Sequence, residues 1–206
     1  MPPRQNEKAV FLNIPYDPRF SDLCLAYIVG AACFGLAART TLEIPGGARR
    51  LDRIVDLIGS CQFSIHDLSR VQLDHAQPRT PRFNMPFELG LTVAWQRLRN
   101  RDHMWFVFET TPFRVSKSLS DLSGTDIYIH GGTIHGIFRQ LCNAFINQDR
   151  QPSVTEMISV YRYLKSELAS ILKASHADSV FDGARPFRDV CLAAALKAEK
   201  SRVSGR

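Results

Sequence analysis

The sequence predicts an α/β fold, an open and mostly parallel five-stranded sheet with helices on both faces, followed by a helical extension. Three observations carry that prediction. Over the first 150 residues, short apolar runs of strand length alternate with helical segments five times. Those runs are continuously apolar rather than alternating, as strands buried on both faces require. Beyond Gln151-Pro152 the strand pattern stops and only helical spacing remains. The organisation is therefore an α/β unit over residues 1–150 and a C-terminal helical extension over 151–206, with no internal repeat.

The elements follow in order. Residues 8–15 (KAVFLNIP) form a short branched-rich run closed by Pro15, a buried strand. Asp17, Pro18, Ser21 and Asp22 supply loop and helix-start signals. Residues 23–34 are nearly all apolar, with Gly35 as C-cap, and read as a well-buried helix. Residues 36–43 are the second strand, and Pro45-Gly46-Gly47 a loop. Leu51, Ile54, Val55, Leu57 and Ile58 set the apolar face of a helix over residues 49–60. Residues 63–67 (FSIHD) are a third strand that ends in an acid. A long polar loop, residues 68–83 with Pro78 and Pro81, leads into the next helix, and loops of this length are usually functional or mobile.

That helix opens with PRFNMPFELGL, residues 81–91. Pro86 suits the first helical position and disfavours helical geometry at Met85. Phe87, Leu91, Ala94 and Leu98 follow at helical spacing as a core face, with Glu88 at its edge in the first turn. Residues 103–109 are the fourth and most apolar strand, and residues 110–124 a connection with a short helix near 119–122. Residues 126–130 are the fifth strand, Gly131-Gly132 a turn, and residues 134–146 the fifth helix. In the extension, Ser153-Val-Thr-Glu156 is a capping box. Met157, Tyr161, Leu164, Leu168 and Ile171 then repeat at three-four spacing. Residues 174–185 form a loop, and Pro186 starts a last helix through Val190, Leu192 and Leu196. The extension packs back on the domain or pairs with a second copy, and its two amphipathic helices predict a homodimer.

This pattern fits the flavodoxin-like strand order 2-1-3-4-5 better than the longer Rossmann order. Right-handed crossovers then bring the loops after strands one to four to one edge, where open α/β sheets bind ligands. The polar residues there are Asn13, Tyr16 and Asp17 after strand one, and Glu43 with Gly46-Gly47 after strand two. Ser64, His66 and Asp67 end strand three, and Asn84 and Glu88 open the following helix. Glu88 has two readings. An ionised carboxylate at the mouth of a sheet can be a nucleophile. Acids also collect in first turns because the helix dipole favours them, and spacing alone puts that account first. Asp67 reads equally as a turn cap continued by Ser69 and as a functional acid. His66 is more often a hydrogen-bonded structural histidine than a catalyst.

Composition narrows the classes. The chain is 45% hydrophobic and 22% charged, which rules against wholesale disorder. Its formal charge is +6, from 17 basic and 14 acidic side chains in residues 1–150 and 9 and 6 in residues 151–206. The excess is spread out, without a basic arm or an aromatic-studded stripe, so nucleic-acid binding is unsupported. Attraction for anionic small molecules such as nucleotides fits as well. Cys24, Cys33, Cys61, Cys142 and Cys191 are odd in number and mostly among apolar neighbours, as free thiols of a reducing cytosol would be. No signal-peptide core and no run of transmembrane length is present, so a cytoplasmic, non-membrane protein is expected. His66, His75, His103, His130, His135 and His176 show no metal-ligand spacing, so no metal is expected. No Walker A, G-x-G-x-x-G or nucleophile-elbow motif is present. The run from His130 to His135 (HGGTIH) is a further stretch that could reach the ligand edge.

Phe87-Glu88-Leu89-Gly90-Leu91 with Ala94, on the helix after strand three, resembles the helix that carries the nucleophilic glutamate of nucleoside 2-deoxyribosyltransferases. The broader resemblance takes in the TIR-like domains, whose NAD-cleaving members also use a glutamate there. FLNIPYD (11–17), SIHDLS (64–69) and RFNMPFE (82–88) together look like a bacterial branch of that superfamily, over about residues 8–148. The resemblance implies an α/β nucleotide-binding domain over residues 1–150. Glu88 matches the glutamate that attacks, or stabilises charge at, the anomeric carbon. Asp67 matches the strand-three acid that contacts base or sugar, and Asn13 and Tyr16 match the loop lining the nucleotide pocket. Arg82 stands where an acid is usual, the loop over residues 68–83 is long, and the TIR signature around the glutamate is absent. These departures bear on deoxyribosyl transfer more than on nucleotide binding.

The implied reaction is cleavage of an N-glycosidic bond in NAD, a nucleoside or a nucleotide, with no cofactor beyond NAD as a substrate. Departure of the base builds oxocarbenium character that an ionised Glu88 stabilises or traps. Asp67 orients or protonates the base, and Arg82 suits a phosphate. The alternative is a non-catalytic TIR-like module for nucleotide sensing or self-assembly. A third reading, nucleic-acid binding through the helical extension, predicts steeply salt-dependent association.

Overall fold

The structure, a computed structural model, describes residues 8–44, 49–71 and 80–204 of the chain. Gly46-Gly47, and the part of the long loop holding His75 and Pro78, lie outside the described residues.

Five strands, β1 (Ala9–Asn13), β2 (Ala37–Arg39), β3 (Phe63–Asp67), β4 (Met104–Glu109) and β5 (Ile127–Ile129), form one all-parallel sheet in the order β2-β1-β3-β4-β5. This is the expected flavodoxin-like order. Among the described residues seven helices accompany it: α1 (Ser21–Cys33), α2 (Arg50–Gly59), α3 (Asn84–Leu98), α4 (Arg114–Ser118), α5 (Ile134–Ala144), α6 (Val154–Ala174) and α7 (Ala184–Ser204). No helix among the described residues is long and apolar enough to cross a membrane.

The central strands β1 and β3 are buried at every position, which is why they read as unbroken runs. Their side chains still alternate between faces. Val10, Leu12, Phe63, Ile65, Phe106 and Phe108 meet α1, α5, α6 and α7 in the main core. Phe11 packs with Ile54, Leu57 and Ile58 of α2, and Val107 with Met85 and Leu89 of α3.

The C-terminal extension belongs to that main core. Met157, Val160, Tyr161 and Leu164 of α6, with Phe187, Val190, Ala194 and Ala198 of α7, pack with α1. A helix apolar all round must be covered all round. The sheet covers one side of α1 and α6 and α7 the other, so Cys24 through Ala31 are all buried. Of the two expected arrangements of the extension, the structure shows it packed back on the domain. Leu192 and Leu196 of α7 stay exposed.

Several boundaries differ from expectation. The second strand is three residues long rather than eight, because a 3-10 turn over Thr41–Glu43 takes the rest. The Thr40 side chain accepts from the Leu42 amide, and Glu43 accepts from the Thr40 amide at 2.9 Å. Those local bonds compete with sheet pairing at an edge. Helix α3 starts at Asn84, not Pro86, which sits third, where a missing N–H costs nothing. Glu88 is therefore in the second turn. Its expected core stripe is also out of phase: Phe87 and Leu98 are exposed at 55% and 79%, and Met85, Glu88, Leu89 and Thr92 face inward. The long connection after β4 holds α4 and a 3-10 turn at Ser120–Leu122. In α6, Ser153 caps the Glu156 amide, whereas the Glu156 carboxylate pairs with Arg150 rather than closing a box. All five cysteines are free, with Cys24, Cys33 and Cys61 buried.

Candidate functional site

At the C-terminal edge of the sheet a cavity of about 270 Å³ opens between the β1–α1 loop and the starts of α2 and α3. Asn13, Ile14 and Tyr16 line it from β1 and its loop, and Thr41 and Arg50 from the β2–α2 side. Arg82, just ahead of α3, and Asn84, Met85 and Glu88 of α3 complete it. Of the residues singled out in the sequence, the structure brings Asn13, Tyr16, Arg82, Asn84 and Glu88 to this one cavity.

Glu88 is 8% exposed, and among the described residues none donates a hydrogen bond to its carboxylate. Burial pushes its carboxyl up to about 7, with the Arg50 charge only partly opposing the shift. Around neutral pH the group is divided between acid and carboxylate. Tyr16 bonds Thr41 (Oη to Oγ1, 2.8 Å) and packs its ring on Phe181, from the segment between α6 and α7. Burial pushes its hydroxyl up to about 12, so it stays a protonated donor beside Glu88.

Asn13 holds the site to the sheet. Its Nδ2 donates to the Met85 carbonyl in the first turn of α3 and to His66 Nδ1, both at 2.8 Å. His66 is fully buried, and desolvation pushes it down to about 3, so it is a neutral ring whose Nδ1 accepts and whose Nε2 carries the proton. That Nε2 has no hydrogen-bond partner among the described residues. His66 supports the site from behind and does not line it.

Asp67 is not in the cavity, contrary to the expectation that it shares a crevice with Glu88. As the next residue along β3 it points to the opposite face. There it accepts from Tyr27 Oη at 2.7 Å and from the Ser69 amide at 2.8 Å, with His130 Nε2 3.2 Å away. The turn-cap reading of Asp67 describes this geometry. Asp17 and Glu43 are also engaged elsewhere. Asp17 pairs with Arg70 at 2.7 Å and caps the Arg19 amide, which lowers its pKa. Glu43 takes the Arg39 Nε through both oxygens, at 3.0 and 2.8 Å. None of the three lines the cavity, because each satisfies a local donor before it reaches the opening.

The HGGTIH run is a structural turn. His130 Nδ1 accepts from the Gly132 amide, Gly131 and Gly132 hold φ of +64° and +69°, and Thr133 caps α5. A Cβ at Gly136 would stand 1.9 Å from the His130 carbonyl oxygen.

Compared with family models, with curated proteins and with solved structures, the chain matches none. The site must therefore be read from its own geometry. Sequence reasoning missed Thr41 and Arg50. Arg50 follows the Gly46-Gly47 loop at the ligand edge of the sheet, and that position was the available signal.

Proposed function

We propose that this cavity binds a nucleotide or nucleoside, and that Glu88 acts on its N-glycosidic bond. The observation that carries the reading is a desolvated carboxylate to which none of the described residues donates, lining a cavity with two amides, a phenol and two guanidiniums. A carboxylate stripped of water and of donors interacts strongly with developing positive charge, and an oxocarbenium-like sugar supplies that charge. Ionised Glu88 would stabilise it or trap the anomeric carbon covalently. The Tyr16 hydroxyl, still protonated, would donate to a sugar or base oxygen. The resemblance to deoxyribosyltransferase-like and TIR-like glutamate helices agrees with this reading, and NAD, nucleosides and nucleotides are its substrate classes.

One observation favours a second reading. Among the described residues no other carboxylate lines the cavity, so none of them stands opposite Glu88 as a base-protonating acid. A non-catalytic module that binds a nucleotide signal needs no such acid. Incubating the full chain with nucleosides, their 5′-monophosphates and NAD, and following free base by chromatography, separates the two. Base release supports the glycosidase. Saturable binding of a panel member without release supports the sensor.

A further inference from the structure

The buried end of the cavity is rich in acceptors and poor in donors. Asn13 shows why. The Met85 carbonyl can only accept, so the Asn13 atom 2.8 Å from it is Nδ2, and the second proton of that nitrogen goes to His66 Nδ1. Neither proton is left for a ligand. Oδ1 is the remaining polar atom of the side chain, and none of the described residues donates to it. Among the described residues, the sealed side-chain atoms without a partner are His66 Nε2 and Trp95 Nε1. Asn13 Oδ1 is not one of them, so it reaches the accessible surface, and the cavity is the opening that Asn13 lines. Both oxygens of Glu88 stand in the same position, without a donor and not sealed off. Tyr16 and Thr41 spend one hydroxyl proton on each other, which leaves at most one between them for a ligand. Arg50 is a strong donor but is exposed, whereas Asn13, Thr41 and Glu88 are buried.

Three acceptor oxygens on two buried side chains call for a ligand that brings donors. Stereochemistry says which ones. In a β-nucleoside the 2′- and 3′-hydroxyls of ribose lie on the face opposite the base. A carboxylate that meets the anomeric carbon as the base departs comes from that face, and a bond to the 2-hydroxyl strengthens in such transition states. Size agrees: about 270 Å³ is near the lower end of ligand pockets, roughly 300 Å³, and has room for one sugar and its base.

On the nucleotide reading of this cavity, we infer that its ligand carries a ribose whose cis 2′- and 3′-hydroxyls donate to Glu88 and to Asn13 Oδ1, so that ribosyl compounds are taken and 2′-deoxyribosyl ones rejected. Asn13 is then a specificity-determining residue. It selects through its oxygen because His66 and the Met85 carbonyl hold its nitrogen. A 2′-deoxyribosyl ligand leaves a buried acceptor without a donor, and sites built around a substrate hydroxyl discriminate strongly against the analogue that lacks it. This preference is opposite to deoxyribosyl transfer, the activity of the enzymes whose glutamate helix α3 resembles.

A ligand series tests it. The full chain carrying Glu88→Gln, which keeps a carbonyl acceptor at that point, is titrated calorimetrically alongside wild type. The ligands are adenosine, guanosine, cytidine and uridine, each with its 2′-deoxy, 3′-deoxy and 2′-deoxy-2′-fluoro forms, as nucleosides and as 5′-monophosphates. For whichever base binds, the ribosyl form is expected to bind about tenfold or more tightly than either deoxy form, as loss of one bond to a buried acceptor implies. The 2′-fluoro form fills the space and cannot donate, so it should group with the 2′-deoxy form. Asn13→Ala should bring the ribosyl form close to one of the deoxy forms, with circular dichroism as the check on folding. The ligand series reads the preference in an unaltered Asn13 chain even where Asn13→Ala does not fold. Affinity unchanged by loss of the 2′- or the 3′-hydroxyl, or a 2′-fluoro form that binds like the ribosyl one, would overturn the inference. Base released as readily from 2′-deoxyribosyl as from ribosyl compounds removes it and leaves the glycosidase. A ribosyl preference in binding without base release does the reverse, and no binding by any member of the series removes both.

Discussion

His66 and Asp67 are neighbours on β3 and serve opposite faces of the sheet: His66 accepts the Asn13 amide at 2.8 Å on the α3 side, and Asp67 accepts the Tyr27 hydroxyl at 2.7 Å on the α1 side. The period of two along a strand decides this, and it takes Asp67 away from the cavity that His66 supports.

Asp67 should accordingly act on stability. Asp67→Ala leaves Tyr27 Oη and the Ser69 amide without their buried acceptor, while His130 Nε2 keeps Ser69 Oγ at 3.1 Å, and is expected to cost about 3–5 kcal/mol. Asp67→Asn keeps one carbonyl acceptor and should cost less. Denaturant midpoints at unchanged m-value measure both. An Asp67→Asn chain as stable as wild type that has lost all ligand binding would speak for a site role instead.

Glu88 should make the fold less stable as pH rises. Its folded carboxyl titrates at about 7 against an ordinary 4.5, so the folded state holds the extra proton between those values. Stability is then lost as pH rises from 4.5 through 7. Glu88→Gln removes this dependence and is expected to exceed wild type by about 2–4 kcal/mol at pH 8, with little difference below pH 4.5. Urea melts of both chains across this range give the answer. A gap that does not change with pH would mean that Glu88 is solvated.

His66 works in the opposite direction. Its folded value of about 3 lies below the ordinary 6.5, so its contribution is complete above 6.5 and lost as pH falls toward 3. Between 4.5 and 6.5 the two groups oppose each other. In Glu88→Gln the His66 slope should therefore stand unmasked across this window. Asn13→Ala, which strips buried His66 Nδ1 of its donor and the Met85 carbonyl of a second one, is expected to cost about 2–4 kcal/mol by chemical denaturation.

Much of the layout was legible in the residues. Continuous apolar runs fixed the strands, and the strand order followed from their alternation with helices. The sheet edge holding Asn13, Tyr16, Arg82, Asn84 and Glu88 followed from that order. What was missed came from local bonds and from phase. Thr40 and Glu43 bond to their own backbone and end β2 early. The phase of α3 was read from Phe87 and Leu98, large apolar residues that lie in solvent, while Glu88 lies inside. Burial of an acid runs against residue preference, and such departures concentrate at functional sites. The place of the extension was written in α1, whose all-round apolarity needs a second cover.

That cover can be removed. A chain ended after Arg150 loses α6 and α7 and uncovers Cys24, Ile28 and Phe138, buried at 0–1% in the whole chain. Each large side chain of the lost helices, such as Met157, Leu164, Phe187 and Val190, contributes about 1.5–3 kcal/mol by burial, so their combined loss exceeds the stability of an ordinary domain. The truncated chain is expected to lose near-UV circular dichroism and to bind a hydrophobic dye. A cooperative melt in the truncated chain would show that the α/β unit stands alone.

The most direct measurement is the rate of base release from whichever nucleoside or nucleotide the protein cleaves, compared between wild type and Glu88→Gln at matched folded concentration. Glu88→Gln should lower that rate by about a thousandfold or more while leaving ligand binding in place. Base release that persists in Glu88→Gln at the wild-type rate would contradict the role assigned to this carboxylate.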